Sequence, residues 1–390
     1  MSFINDQSAA GGGRPPLGAR PCGESDTRRR RLCGAPLRRF SGAPRSLSTL
    51  ALVAALLLVA ALAAAGCGDD TPDSAVSPAD SSPAANASPG RSEVTLIMDW
   101  VPWVLDIPVD VAQEQGFYAD HGLTVKQQVP SAATDVVKFV STGRAQFGLY
   151  YAPDTLAAVA EGAPLLSVAA LMGQAPLGMA MAPDEQASSP KELEGKTAGV
   201  VMIPSTRASF QTMLETGGVA PSAVKVADPG YAIVAPLLAG KYDSVAVTEF
   251  GELVEAEAAG QKLDYLDFRD WGTPDYAFLN VITTQSFAEE DPGTVRAFVA
   301  ATVEGLDWAV AHPDEAVALY VNRHPELKSE LLLAQWKAAV PSMAASGEHA
   351  AGWQDVAAWS ALDDWMVKSG QIEAPVDVGP VVSDSYLPAK

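Results

Sequence analysis

Residues 94–103, VTLIMDWVPW, decide how the rest of the chain is read. Val94 to Met98 is short, apolar and β-prone, and Pro102, which has no backbone donor, takes the chain out of any sheet. Trp100 and Trp103 are therefore expected just beyond the carboxyl end of a strand. Downstream, Pro108 to Gln115 has helical composition and stops at Gly116, and Leu123 to Val129 alternates as a second strand. The order is strand, helix, strand. It continues with a helix over Thr134 to Ser141, closed by Gly143, a strand over Ala145 to Tyr150, and a helix capped by Asp154 or Thr155 that runs to Glu161.

The alternation persists. Leu165 to Met181 is apolar and reads as a strand and the start of a crossing into a second lobe. Lys196 to Val201, Ala223 to Val226, Ile233 to Leu238 and Ser244 to Val247 continue the strand and helix pattern. Phe278 to Thr284 reads as the return crossing. Four helices are expected after Pro292: Val295 to His312, Asp314 to Asn322, Glu330 to Ser342 and Trp353 to Ser369. The fold class is α/β with two lobes, residues 93–180 and 280–390 forming the first and 181–279 the second.

In open α/β sheets, ligands sit beyond the carboxyl ends of the strands. Four such ends concentrate chemistry here. They are Asp99 to Trp103, Tyr150 to Asp154, Ile203 to Arg207, and Thr248 to Phe250. Trp100, Trp103, Asp106, Tyr150, Tyr151, Ser205, Thr206, Glu249, Phe250 and Tyr276 form the candidate ligand-binding set, an aromatic-walled cleft with a few polar groups. Because side chains alternate along a strand, only one of Tyr150 and Tyr151 is expected to face the cleft, and the sequence leaves open which. Ser205 and Thr206 fit an N-cap as well as they fit a ligand contact. Arg207 would favour an anion if it turned inward, and Glu249 suits the amine or ring N–H of a heterocycle.

The 390 residues carry a formal charge of −21, with 19% charged and 48% hydrophobic side chains. That length favours two lobes over one core. Residues 1–66 hold nine Arg, no Lys and three acids, net +6. The remaining residues hold 17 basic and 44 acidic side chains, net −27. Such a body repels phosphate backbones, so nucleic acid is not an expected partner.

From Leu47 to Gly66 the sequence is LSTLALVAALLLVAALAAAG, preceded by Arg28 to Arg31, Arg38, Arg39 and Arg45. A basic segment, an apolar run and small residues are the marks of an export signal. The run ends at Cys67 in a pattern resembling the bacterial lipoprotein signal, with Cys67 acylated as the mature N-terminus. A retained transmembrane anchor is the competing reading of the same run. Residues 67–92, nearly all Ser, Pro, Ala, Asp and Gly, read as a disordered tether. The remaining cysteines, Cys22 and Cys33, precede the cut, so no disulfide is expected in the mature body.

Several blocks in order carry a family resemblance. These are MDWVPW (98–103), VAQEQGFYADHGLTV (111–125), STGRAQFGLYYAPDTLAAVAEGAPLLSVAAL (141–171), LAGKYDSVAVTEF (238–250) and DPGTVRAFVAATVEGLDWAVAHPDEAV (291–317). Together they resemble solute-binding proteins for the pyrimidine precursor of thiamine, a branch near the sulfonate, taurine and nitrate binders. The resemblance implies a type II periplasmic-binding fold with two crossings, a partner ABC permease and ATPase, no cofactor, a monomer, and a lipid-anchored location on the outer face of the cell membrane. It also implies that Trp100 walls the ligand ring.

Four positions depart from the family pattern. Trp103 and Asp106 stand where the family tends to have Asn and His, Pro108 replaces a Gly, and Gln146 replaces an acid. A larger, flatter or cationic guest is one expectation from these changes; a sulfonate or nitrate anion and a flavin are the alternatives. One relative of the fold synthesises the pyrimidine with a histidine and a cysteine-rich segment. No such segment follows Cys67, and no GxSxG, P-loop, GxGxxG or HExxH motif is present. His121, His312, His324 and His349 are dispersed, so helix-end roles are expected for them. No metal site is expected.

Overall fold

The computed structural model describes residues 92–132, 135–230, 232–343 and 349–389. The expected leader, Cys67 and the tether up to residue 91 lie outside the described residues. Ser92, counted in the expected tether, belongs to the first strand.

The first sheet has the order β2-β1-β3-β10-β4 and the second the order β7-β6-β8-β5-β9. Their strands are β1 (Ser92–Ile97), β2 (Leu123–Gln128), β3 (Phe147–Tyr151), β4 (Leu165–Met172), β5 (Leu177–Met181), β6 (Thr197–Gly199), β7 (Lys225–Ala227), β8 (Ser244–Thr248), β9 (Tyr265–Asp267) and β10 (Leu279–Thr284). β1 runs parallel to β2 and β3, and β6 runs parallel to β7 and β8. In each sheet one antiparallel strand, β10 or β5, enters from the other half. The two sheets thus share one plan.

Every residue of β4, β8 and β10 is buried, as expected for strands covered on both faces. The covering helices are α1 (Ile107–Glu114), α2 (Phe117–Asp120), α3 (Asp135–Ser141), α4 (Ala152–Ala160), α5 (Pro204–Thr216), α6 (Val234–Leu238), α7 (Glu252–Ala258), α8 (Gln285–Glu290), α9 (Pro292–Ala311), α10 (Pro313–Arg323), α11 (Ser329–Met343) and α12 (Val356–Lys368). Helix α9 shows the local logic best. Asp291 caps it by accepting from the Thr294 amide, Pro292 occupies the first turn, and Val295, Phe298, Thr302, Leu306 and Ala309 form its inward stripe. Phe298 stacks on Phe147 of β3 with centroids 3.9 Å apart.

Gly305 allows α9 to lie close to α1. A Cβ there would stand 2.4 Å from the Pro108 carbonyl oxygen and 2.8 Å from the Ala112 Cβ. Gly305→Ala is expected to cost about 1–3 kcal/mol, the usual penalty for overpacking a well-filled contact. Urea unfolding checks this, and an unchanged midpoint would remove the close contact from the account.

Two segments join the sheets. The first, residues 173–176, ends at Pro176, and β5 then pairs with β8 and β9. The expected lobe boundary at residue 180 is therefore too late, since all of β5 belongs to the second sheet. The apolar residues of β4 and β5 on either side, nearly all buried, outweigh the break that exposed Gly173 and Gln174 mark. The second segment, residues 268–278, returns the chain to β10. The two crossings are bonded to each other where the Ala175 amide donates to Asp275 Oδ1 at 3.0 Å. The C-terminal helices also reach the second lobe: Trp365 Nε1 of α12 donates to Thr212 Oγ1 of α5, and Gln335 Nε2 of α11 donates to the Gly251 carbonyl.

Helix starts differ from expectation at two places. Tyr151, with extended backbone, caps α4, so Asp154 and Thr155 lie inside its first turn and Thr155 Oγ1 donates back to the Tyr151 carbonyl. Pro153 suits that first turn, which lets the helix begin earlier. Ile203 likewise caps α5, leaving Ser205 and Thr206 within the helix after Pro204. His312 and His324 occupy the two ends of α10.

Candidate functional site

The carboxyl ends of β1, β3, β6 and β8 converge on a cavity of about 190 Å³ between the two sheets. From the first lobe come Trp100, Val101 and Trp103, which follow β1, and Tyr151, the last residue of β3. Tyr276 and Phe278 come from the return crossing. The second lobe supplies Val201, Ile203, Ser205 and Thr206 around the start of α5, Ala246 to Thr248 on β8, and Glu252 at the start of α7; Leu177, Gly230 and Ile233 complete the wall. The lining is largely apolar and aromatic, with hydroxyls and one carboxylate.

Six of the ten candidate residues come together there: Trp100, Trp103, Tyr151, Ser205, Thr206 and Tyr276. The alternation at β3 resolves in favour of Tyr151. Tyr150 packs on the opposite face of the sheet against Val136, Ile282 and their neighbours.

Asp106, Glu249 and Phe250 are not part of the lining. Asp106 is 3% exposed, and its Oδ2 accepts from the Trp103 amide and from the Tyr320 hydroxyl, both at 3.2 Å. It fixes the turn that carries Trp103. Glu249 is exposed, its backbone amide bonded to Pro176 O in the first crossing. The chain turns over residues 249–251, and Glu252, not Glu249, returns toward the cavity. Its Oε2 accepts from the Thr248 amide at 2.8 Å and from Thr248 Oγ1 at 2.7 Å. Phe250 is buried behind the wall, its ring 5.8 Å from Trp103 and 6.5 Å from Phe278.

Buried carboxyls stand behind the aromatic wall. Tyr151 Oη donates to Asp99 Oδ2 at 2.6 Å, and the Trp103 side chain and the Trp100 backbone also hydrogen-bond to this buried carboxyl. Burial pushes the Asp99 carboxyl up to about 6, with the Tyr151 hydrogen bond pulling the other way. Asp106 is held well above the usual carboxylate range by burial and then by the neighbouring Asp99 and Asp110. Burial also raises Asp110, opposed by the Arg323 guanidinium, whose Nε lies 3.2 Å away. On the α4 side, Asp154 is pushed up to about 6 by burial and accepts from Ser205 Oγ at 3.4 Å across the cleft.

Among the described residues no Lys, Arg or His lines the cavity. Arg207, the one nearby cation the sequence offered, points elsewhere. Its Nη1 lies 3.7 Å from Met202 Sδ, and the side chain borders a separate recess with Phe210 and Val226.

Two α/β lobes with this strand order, joined by two crossings and holding a cavity at their facing strand ends, make up a type II periplasmic-binding fold. The match with the periplasmic aliphatic sulphonate binding protein SsuA of Escherichia coli agrees, with a TM-score of 0.60 at 13% identity over 74% of this chain and 97% of that one. The chain belongs to the NMT1/THI5-like family, which matches residues 106–316. It is 29% identical over 284 residues to the formylaminopyrimidine-binding protein of Halalkalibacterium halodurans, covering 70% of this chain and 86% of that protein. It is 25% identical over 349 residues to the riboflavin-binding protein RibY of Chloroflexus aurantiacus, covering 87% and 97% respectively.

Proposed function

We propose that this protein is the solute-binding component of an ABC importer, capturing a small heteroaromatic solute in the cleft and passing it unaltered to the permease. The observation that carries the reading is the interlobe cavity, walled by Trp100, Trp103, Tyr151, Tyr276 and Phe278 and edged by hydroxyls and a carboxylate. Flat rings stack on such walls, and Thr248 and Glu252 offer a polar edge for ring N–H or amine groups. The relatives named for formylaminopyrimidine and riboflavin binding support a nitrogen heterocycle as cargo.

Transport follows from differential contact. A solute touching both lobes favours the closed arrangement, and reversing a 1:99 population takes about 5.5 kcal/mol of preference for it. A stacked ring and several buried hydrogen bonds contribute energy of that order. In this reading closure is the signal to the permease, and a lipid on Cys67 keeps the receptor beside it on the extracytoplasmic face.

The pyrimidine-synthesising reading is weaker, because residues 68–390 contain no cysteine and no histidine lines the cavity. Binding of a sulfonate or nitrate is disfavoured by the lack of a cation in the lining.

Thermal-shift measurements on the purified protein test the proposal with 4-amino-5-hydroxymethyl-2-methylpyrimidine, riboflavin, ethanesulfonate and nitrate. A ring compound is expected to raise the melting temperature through mass action, and the two anions are expected to leave it unchanged. Stabilisation by the anions alone would overturn the reading. Trp100→Ala is expected to weaken binding of the stabilising ring at least tenfold, about 1.4 kcal/mol, with an unchanged melting temperature without ligand. Unaltered affinity would remove Trp100 from the site.

A further inference from the structure

We propose that the cleft selects cationic heteroaromatic guests over neutral and anionic ones, an inference that rests on the solute-binding reading above and specifies the charge of its cargo. Five aromatic side chains, Trp100, Trp103, Tyr151, Tyr276 and Phe278, line the cavity. The faces of such rings are negative, and cages of them recognise ligand cations bearing delocalised or quaternary charge.

The second lobe adds a carboxylate. Glu252 is pinned at the cavity edge through Oε2 by two donors from Thr248, which orients the group without neutralising it. Two more carboxyls stand one residue behind the lining: Asp99 behind Tyr151, and Asp154 behind Ser205. Asp99 is 1% exposed, and the groups that hydrogen-bond to it, the Tyr151 hydroxyl, the Trp103 side chain and the Trp100 backbone, are all neutral. A buried carboxylate with neutral partners alone is stabilised by a nearby positive charge.

Nothing in the described lining balances these acids, since it contains no Lys, Arg or His. The positive helix-dipole ends at the cavity include the amino-terminal turns of α4, capped by Tyr151, and of α5, and Asp154 already faces both, from inside the first turn of α4 and through Ser205 of α5. An anionic guest would be desolvated among carboxyls with no counter-charge. A cationic ring, such as a pyridinium, thiazolium or protonated aminopyrimidine, would be stacked and charge-paired in the same position.

Calorimetric titration of the protein at pH 7.5 with three bicyclic probes of similar shape separates the cases: N-methylquinolinium (cationic), quinoline (neutral) and naphthalene-1-sulfonate (anionic). N-methylquinolinium is expected to bind at least tenfold more tightly than quinoline, with the sulfonate weakest. Glu252→Gln is expected to reduce the ratio of cation to neutral affinity at least fivefold. The ranking of the three probes on the unsubstituted protein stands by itself if that variant folds poorly. Quinoline binding as tightly as the cation would overturn charge selection while leaving heteroaromatic capture intact. A preference for the sulfonate, or no binding of any ring, would overturn both.

Discussion

Acidification from pH 7.5 to pH 5 is expected to stabilise the unliganded protein by a few kcal/mol, the reverse of what a protein held by surface ion pairs would do. Asp99 and Asp154 are each pushed up to about 6 by burial, against an ordinary value of 3.8. Between those two values the native state binds more protons than the unfolded chain, so stability falls as pH rises through the window. Above pH 6 both carboxyls are charged in the fold. The cost is then complete, at about 1.4 kcal/mol per unit of displacement for each group. Asp106 and Asp110 are displaced in the same direction and add to the slope. Urea midpoints at pH 5, 6 and 7.5 measure this. The Asp99→Asn, Asp154→Asn double variant is expected to flatten the profile, and a flat profile in the unsubstituted protein would contradict the burial account.

Trp103→Ala is expected to reduce ligand affinity about a hundredfold, some 2.7 kcal/mol, and to destabilise the fold by about 3 kcal/mol, near the lower end for truncating a large aromatic. Two roles meet in this side chain. It lines the cavity and packs on Phe250, a second-lobe residue buried behind the wall. Truncation removes a stacking face and strips Phe250 of one of its two ring partners, leaving Phe278. Trp103→Phe keeps a ring there and is expected to recover most of the stability but only part of the affinity. Calorimetric titration and urea unfolding read the two effects separately. An unchanged affinity in Trp103→Ala would exclude this indole from ligand contact.

The strand ends that build the cavity were legible because proline and strand alternation act locally. Pro102 forces Trp100 and Trp103 out of the sheet, and Pro204 does the same for Ser205 and Thr206; all four reach the cavity lining. Asp106 was misplaced because its partner is Tyr320 on α10, 214 residues away, and no local pattern reports such a contact. Glu249 and Glu252 differ only in what a three-residue turn does. Gly251 permits that turn, since a Cβ there would lie 2.4 Å from Thr248 Oγ1. The signal available in the sequence was an acid at the start of a helix, four residues after a threonine. Leu177 and Phe278 were hidden for another reason: an apolar residue in a buried strand or crossing looks the same whether it meets core or ligand. The family resemblance carried the fold, while the departures at Trp103 and Asp106 divided, one into the cavity and the other beneath it.

The claim on which the rest depends is that the two lobes close on a guest. Spin labels on Val129→Cys, just beyond β2, and Val226→Cys, on β7, test it directly. Both positions are exposed, and β2 and β7 are edge strands of the two sheets. Cys22, Cys33 and Cys67 are the chain's only cysteines, so replacing them with Ser leaves no competing thiol. The distance distribution is measured by double electron–electron resonance with and without the ring compound that most raises the melting temperature. A shift to shorter separation on saturation is the predicted result. A distribution unchanged by saturating ligand would contradict the clamp.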